Sequence, residues 1–392
     1  MAPELAHGAG RGLAMGEKTW ERLFGGGRRS GGRWLIIAGA VAIALVAGFI
    51  GFRLAMLIQG GPSQPSASLP TAPLSTSEQI VQTVADIEGL VVGVTAYRHK
   101  KAGDDGSSGS AVVIARKKGM AYLLTNHHVI EGADRIDVTT GDGETVPAER
   151  VGVDPYTDLA LLRIPQRYVD KVAVLGSSAK VRKGEMVIVA GNALGIYADT
   201  VNIGFISSLH QKLPIYFGDG AEPDWELDVL QVDAAMNYGN SGGGLFNLRG
   251  ELIGINNAKV VEPGVENIGF AIPIDLAQAV AAELEQYGKV RRPDLGIVPV
   301  GLAYVAEDIY RSLKLPPTVH EGVLIRDMPE GPAKAAGLSA YDVIVALDDR
   351  PVYDKVSFRQ TLFQHKIGDT VKVTYYHAGE RKERLVTLGE AP

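Results

Sequence analysis

Between residues 90 and 273, short apolar runs alternate with clusters of Gly, Asn and Asp. The runs fall at 109–114, 121–125, 158–164, 186–190, 229–233 and 251–255. Strand-length segments separated by turn residues predict an all-β barrel or sandwich. The period then changes. Residues 275–287 predict a helix with Leu276, Val280 and Leu284 on one face. Arg291, Arg292 and Pro293 resemble a short hinge, and 293–390 read as a second unit of mixed strands and helices. Upstream, 34–52 carries no charge, and a helix of that length spans roughly the 30 Å hydrocarbon core of a bilayer. Arg28, Arg29 and Arg33 precede it and Arg53 follows. That basic excess predicts an anchor at 34–53 with a cytoplasmic N-terminus and all later residues outside the cytoplasm. A cleaved signal peptide would have a shorter apolar region and a small-residue cleavage site. Residues 1–33 predict a disordered Gly/Arg-rich tail, and 54–77 a Pro/Ser-rich linker. The first globular domain is expected over 78–288.

Composition narrows the function classes. A chain of 392 residues allows two or three domains. A net charge of −6 with no basic stripe argues against a nucleic-acid partner. The chain has no cysteine, which excludes disulfides, thiolate metal sites and a cysteine nucleophile. No metal-ligand cluster or nucleotide loop is present in the sequence, so no metal and no cofactor is expected.

Three segments carry candidate chemistry: Asn126-His127-His128, Asp154-Pro155-Tyr156-Thr157-Asp158 and Gly239-Asn240-Ser241-Gly242-Gly243. A serine nucleophile needs an exposed hydroxyl beside backbone N–H groups, and flanking glycines permit that close approach. The same five residues match the nucleophile elbow Gly-x-Ser-x-Gly. An elbow leads into a helix, however, whereas Ser241 is followed by glycines, Leu245, Phe246 and another apolar strand. A serine hydroxyl needs a base near neutral pH. His127 and His128 both qualify by position, as do Asp154 and Asp158 for the orienting acid. The order His, Asp, Ser is that of chymotrypsin.

Together these motifs resemble the HtrA (Deg) family of serine proteases over roughly 78–389. Ile253-Gly254-Ile255-Asn256 and Ile268-Gly269-Phe270-Ala271-Ile272-Pro273 add to the likeness. The resemblance implies a chymotrypsin-type double β-barrel with His128 as base, Asp158 as orienting acid and Ser241 as nucleophile. It implies an oxyanion hole from the N–H groups of Gly239, Asn240 and Ser241. A specificity pocket would involve Met236, Asn256 and Ala258 and accept small or medium aliphatic side chains. The segment 210–228 matches the family's sensor loop. Where the family usually has proline, this chain has Tyr238 and Gly244; Tyr238 would flank the oxyanion hole, and Gly244 would loosen the turn after the nucleophile. In 293–390, the runs 322–325, 328–338 and 342–347 resemble a PDZ domain, with Asp294, Leu295, Gly296 and Ile297 as its carboxylate-binding loop. A short loop at 99–108 favours, by analogy, a homotrimer.

The expected function is therefore a membrane-anchored, extracytoplasmic HtrA-type endopeptidase in protein quality control or regulated proteolysis. Its partners would be unfolded or regulated proteins, with C-terminal peptides at the PDZ domain activating it. The alternative class is a catalytically silent, PDZ-containing peptide-binding or chaperone-like scaffold. Retention of all three triad residues favours the protease.

Overall fold

The computed structural model describes residues 75–98, 106–193, 197–217, 221–258 and 268–391, together with Gly48. Two compact units divide the chain, 1–73 and 74–392, and the second contains all the architecture described below. Among the described residues no helix is long and apolar enough to cross a membrane. The expected anchor at 34–53 lies outside them apart from Gly48.

The second unit opens with a helix, Thr76–Ile87, where the sequence reading continued the linker to residue 77. Ser75 starts it: its hydroxyl accepts from the Glu78 N–H, and the Glu78 carboxylate accepts from the Ser75 N–H. This reciprocal pair satisfies donors that every helix start leaves unpaired.

The first sheet uses β1 (Val91–Tyr97), β2 (Ser107–Lys117), β3 (Met120–Asn126), β4 (Arg135–Thr139), β5 (Thr145–Pro147), β6 (Glu149–Asp154) and β7 (Leu159–Pro165). Their order is β5-β4-β1-β2-β3-β7-β6. Side chains alternate across the sheet. Val92, Val94, Ala111, Val113, Leu123 and Leu162 fill its own core. The alternate positions Val112, Leu124, Leu159 and Leu161 turn to a second cluster, shared with the second sheet and the helix Ile274–Tyr287.

That second sheet contains β8 (Val174–Leu175), β9 (Met186–Ala193), β10 (Tyr197–Ile215), β11 (Trp225–Val232), β12 (Gly244–Asn247), β13 (Glu251–Asn257) and β14 (Gly269–Pro273). Because β12 pairs with both β9 and β13, β12-β9-β10-β11-β14-β13 closes into a barrel. Its interior holds Val187, Val189, Ile206, Val232, Leu245 and Ile253. In the helix Ile274–Tyr287, the buried face is Ile274, Ala277, Val280, Ala281 and Leu284, with Leu276 only half-buried. Gly288 at φ +75° ends it, a left-handed conformation that glycine adopts without Cβ strain.

The C-terminal part is a sheet in the order β16 (Val298–Gly301), β17 (Val323–Asp327), β18 (Val343–Leu347), β20 (Thr370–His377) and β21 (Glu380–Thr387), with β19 (Arg350–Pro351) on β18. Pairing of β15 (Pro293–Asp294) with β22 (Gly389–Glu390) brings both ends of this region together. The expected hinge is pinned: Arg292 forms two bonds of 2.7 and 2.8 Å to the buried Asp154 carboxylate. The tip of the β10–β11 hairpin also reaches across. Glu222 accepts from the Gly301 N–H at 2.9 Å, and Asp224 pairs with Lys355 and Arg359, both at 2.9 Å. Burial pushes the Asp224 carboxyl up, but the Phe217 N–H, Lys355 and Arg359 together hold it below the usual carboxylate range.

Candidate active site

Three chain segments from the two sheets converge at the seam. His128 is the second residue of the single helical turn His127–Ile130 that follows β3. Asp158 sits just before β7 at φ +52°. The main chain holds it there: its carbonyl accepts from the His127 N–H at 2.9 Å and the Asn126 side-chain amide at 3.0 Å. Asp154 is excluded as the orienting acid, because Arg292 and the Thr157 hydroxyl take up its carboxylate. His127 donates its backbone N–H to the Asp158 carbonyl and lines a neighbouring cavity with Asp158, Tyr156 and Phe217.

The Asp158 carboxylate accepts from the His128 backbone N–H at 2.9 Å and contacts His128 Nδ1 at 2.6 Å. An ionised carboxylate can only accept, so Nδ1 carries the proton. The lone pair of Nε2 is thereby turned toward Ser241 Oγ, 3.0 Å away. Asn257 adds a third donor to Asp158 at 2.9 Å. The Ala258 N–H reaches Ser241 Oγ at 3.2 Å. His128 is half-buried and Ser241 is 6% exposed, so the array is largely withdrawn from water.

Two successive turns shape the nucleophile segment. In the first, the Asn240 N–H donates to the Asn237 carbonyl at 3.0 Å, with Gly239 at φ +97°. In the second, the Gly243 N–H donates to the Asn240 carbonyl at 3.0 Å, with Gly242 at φ +82°. Both turns need positive φ at their third residue, which explains the glycines. The first bond corrects one expectation: the Asn240 N–H is already committed and is not an oxyanion donor. Tyr238, 80% exposed, projects from the first turn. Gly244 is not in the turn but opens β12, where a Cβ would overlap the Phe246 ring.

Ser110 was not singled out by the sequence, yet it anchors this segment from the opposite sheet. Fully buried, it donates from its hydroxyl to the Gly239 carbonyl at 2.6 Å and from its N–H to the Ser241 carbonyl at 2.8 Å. No pattern in Gly109-Ser110-Ala111 marks it. Asn257 also escaped notice, although strand alternation beside Asn256 offered a signal.

The expected specificity residues separate. Asn256 is fully buried and spends its side-chain amide on the carbonyls of Ala190 and Gly244. It braces strands beneath the nucleophile and does not line a pocket. Met236, 5% exposed, packs against Gly269. Ala258 touches the nucleophile through its N–H. The remainder of the loop expected to complete the pocket, 259–267, lies outside the described residues. So do 99–105 of the first-strand loop and 218–220 of the sensor segment. In the C-terminal region, the four residues of the expected carboxylate loop lie together. Leu295 is fully buried, Gly296 has φ +72°, and Asp294 and Ile297 line a groove with Phe358 and Leu362.

Comparison with known proteins agrees with this arrangement. Residues 109–255 match a trypsin-like peptidase domain and 293–388 match a PDZ domain. The chain is thus a serine endopeptidase of the trypsin-like class that carries one matched PDZ domain. It is 38% identical to the serine protease Do-like HtrB of Bacillus subtilis, over 82% of this chain and 73% of that one. It is 39% identical to the serine protease Do-like HtrA of Lactococcus lactis subsp. lactis, over 73% and 71%. The solved HtrA-type protease AlgWS227A with decapeptide superimposes with a TM-score of 0.61 at 30% identity, over 80% of this chain and 97% of that one. The protein belongs to the HtrA family of serine proteases.

Proposed function

We propose that Ser241, His128 and Asp158 are the catalytic triad of this endopeptidase. The observation that carries the reading is the continuous relay from Asp158 through His128 to Ser241, at 2.6 and 3.0 Å. Ser241 Oγ attacks the scissile carbonyl carbon while His128 Nε2 takes the hydroxyl proton. Asp158 stabilises the resulting imidazolium. The N–H groups of Gly239 and Ser241 hold the oxyanion of the tetrahedral intermediate. As that intermediate collapses, Nε2 returns the proton to the departing amine, leaving an acyl-serine ester. Water attacks the ester, again with His128 as base, and regenerates the hydroxyl.

The biological setting follows from the sequence. Residues 34–53 tether the enzyme to a membrane with 1–33 cytoplasmic, and the catalytic unit acts outside the cytoplasm as a homotrimer on unfolded or regulated proteins. Met236 and Ala258, both buried, supply apolar wall to the specificity pocket. A peptide in the groove of 293–390 raises activity; the hairpin tip bound to Gly301, Lys355 and Arg359 supports such a link. The relative AlgW has been solved with a decapeptide and with a tripeptide.

Casein degradation tests the core of this reading. The full chain in detergent should degrade casein, and Ser241→Ala should stop it. Degradation that survives Ser241→Ala would assign the nucleophile elsewhere.

A further inference from the structure

Among the described residues the N–H groups of Gly239 and Ser241 have no hydrogen-bond partner, which leaves both for an oxyanion. The first belongs to the peptide unit joining Tyr238 and Gly239, the second to the unit joining Asn240 and Ser241. Between them lies the unit joining Gly239 and Asn240. In a planar trans peptide the C=O and N–H point in opposite directions, so both ends of this middle unit bear on how the two donors converge. Its Asn240 N–H donates to the Asn237 carbonyl at 3.0 Å. Its other end, the Gly239 carbonyl, accepts at 2.6 Å from the hydroxyl of Ser110 on β2. Gly239 has φ +97° and no Cβ, so its own torsions do little to hold the unit in place.

The Ser110 hydroxyl is itself aimed. The residue is fully buried, and the Asn192 N–H on β9 donates to its oxygen at 2.7 Å. A hydroxyl has one proton, and with the amide on a lone pair that proton is directed at the Gly239 carbonyl. The Ser110 backbone is fixed as well. Its carbonyl accepts from Thr125 Oγ1 at 2.6 Å, and its N–H donates to the Ser241 carbonyl at 2.8 Å. One residue therefore grips the peptide units on both sides of the one that carries the Ser241 N–H.

We propose that Ser110 is a positioning residue for the oxyanion hole: its hydroxyl, acting through the Gly239 carbonyl, keeps the Gly239 and Ser241 N–H groups converged on the oxygen that becomes negative when Ser241 attacks. The inference rests on the triad reading above and adds a residue that acts only through backbone. That oxygen gains its charge only as the tetrahedral intermediate forms, so the effect falls on the transition state and not on substrate binding. The contacts that join His128, Asp158 and Asn257 do not involve Ser110.

The test is Ser110→Ala in the full chain, assayed with a chromogenic peptide anilide and with a boronic acid of the same peptide. Ser241 Oγ bonds to boron, His128 takes the hydroxyl proton, and the boron becomes a tetrahedral anion with an oxygen at the oxyanion position. Counting kcat per site titrated to completion with a fluorophosphonate removes any unfolded fraction. In the variant kcat should fall about 10–100-fold, somewhat less than outright loss of an oxyanion donor. KM should stay within about twofold. Boronic acid affinity should weaken by the same factor as kcat, and the pH profile of kcat/KM should keep its shape. Ser110→Cys keeps the shape of the side chain and donates more weakly. It should fall between the two proteins, and it takes the place of the alanine variant if that one does not fold. An unchanged kcat per titrated site, a loss carried by KM alone, or boronic acid bound as tightly as by the native protein overturns this inference alone. If the native protein neither takes up fluorophosphonate at Ser241 nor binds the boronic acid, the triad reading falls and this inference with it.

Discussion

Asp158→Asn should lower kcat by about 10⁴-fold while the protein remains folded. The carboxylate accepts from the His128 backbone N–H, from His128 Nδ1 and from Asn257. An asparagine in the same space can keep its oxygen on the backbone N–H, but its NH₂ group then faces Nδ1. That nitrogen must become the acceptor, which moves the ring proton to Nε2. Ser241 then meets an N–H instead of a lone pair and loses its base. The imidazolium formed during attack also loses its counter-charge. The turn itself should persist, because it is held through the Asp158 carbonyl by the His127 N–H and Asn126. Steady-state kinetics on a chromogenic peptide, with thermal melting alongside, checks both halves. A loss under about tenfold would remove Asp158 from the role of orienting acid.

Gly242→Ala should destabilise the protein by about 2–5 kcal/mol and abolish activity, combining left-handed backbone strain with overpacking. At φ +82° the residue is in the left-handed region. A Cβ there would overlap the Ser110 carbonyl oxygen and Thr125 Oγ1, which are joined by a 2.6 Å hydrogen bond. The same carbonyl region carries Ser110, which anchors Gly239 and Ser241. Relief of the clash thus shifts the nucleophile relative to His128. Gly143→Ala is the control: φ is +83°, but nothing lies within 4 Å of its would-be Cβ. It should lose only about 1 kcal/mol and retain activity. Urea denaturation of the two variants separates strain from packing, and equal losses would contradict the packing argument.

The parts of this account that rest on local pattern were legible in the sequence. Strand runs such as 121–125 and 251–255 fall inside β3 and β13, and the helical period at 275–287 is a helix from Ile274. Chain order and motif spacing narrowed the choice to Ser241 with His127 or His128 and Asp154 or Asp158; the family resemblance selected His128 and Asp158, and the structure brings those two and Ser241 within hydrogen-bonding distance. The misses have physical causes. The helix Thr76–Ile87 was hidden behind a Pro/Ser-rich stretch, although Ser75 and Glu78 formed a readable capping box. The commitment of the Asn240 N–H depends on turn geometry, and the inward direction of Asn256 depends on strand phase. Neither follows from a motif. Arg292 meets Asp154 across 138 positions and Glu222 meets Gly301 across 79, separations at which a single sequence carries no pairing signal.

The most direct test of a nucleophilic Ser241 activated by His128 is labelling with a fluorophosphonate followed by peptide mass mapping. The relay predicts one phosphonylated residue, Ser241, in the native chain, with labelling lost in urea and in His128→Ala. Modification of a different residue, or equal labelling of native and His128→Ala protein, would contradict the account.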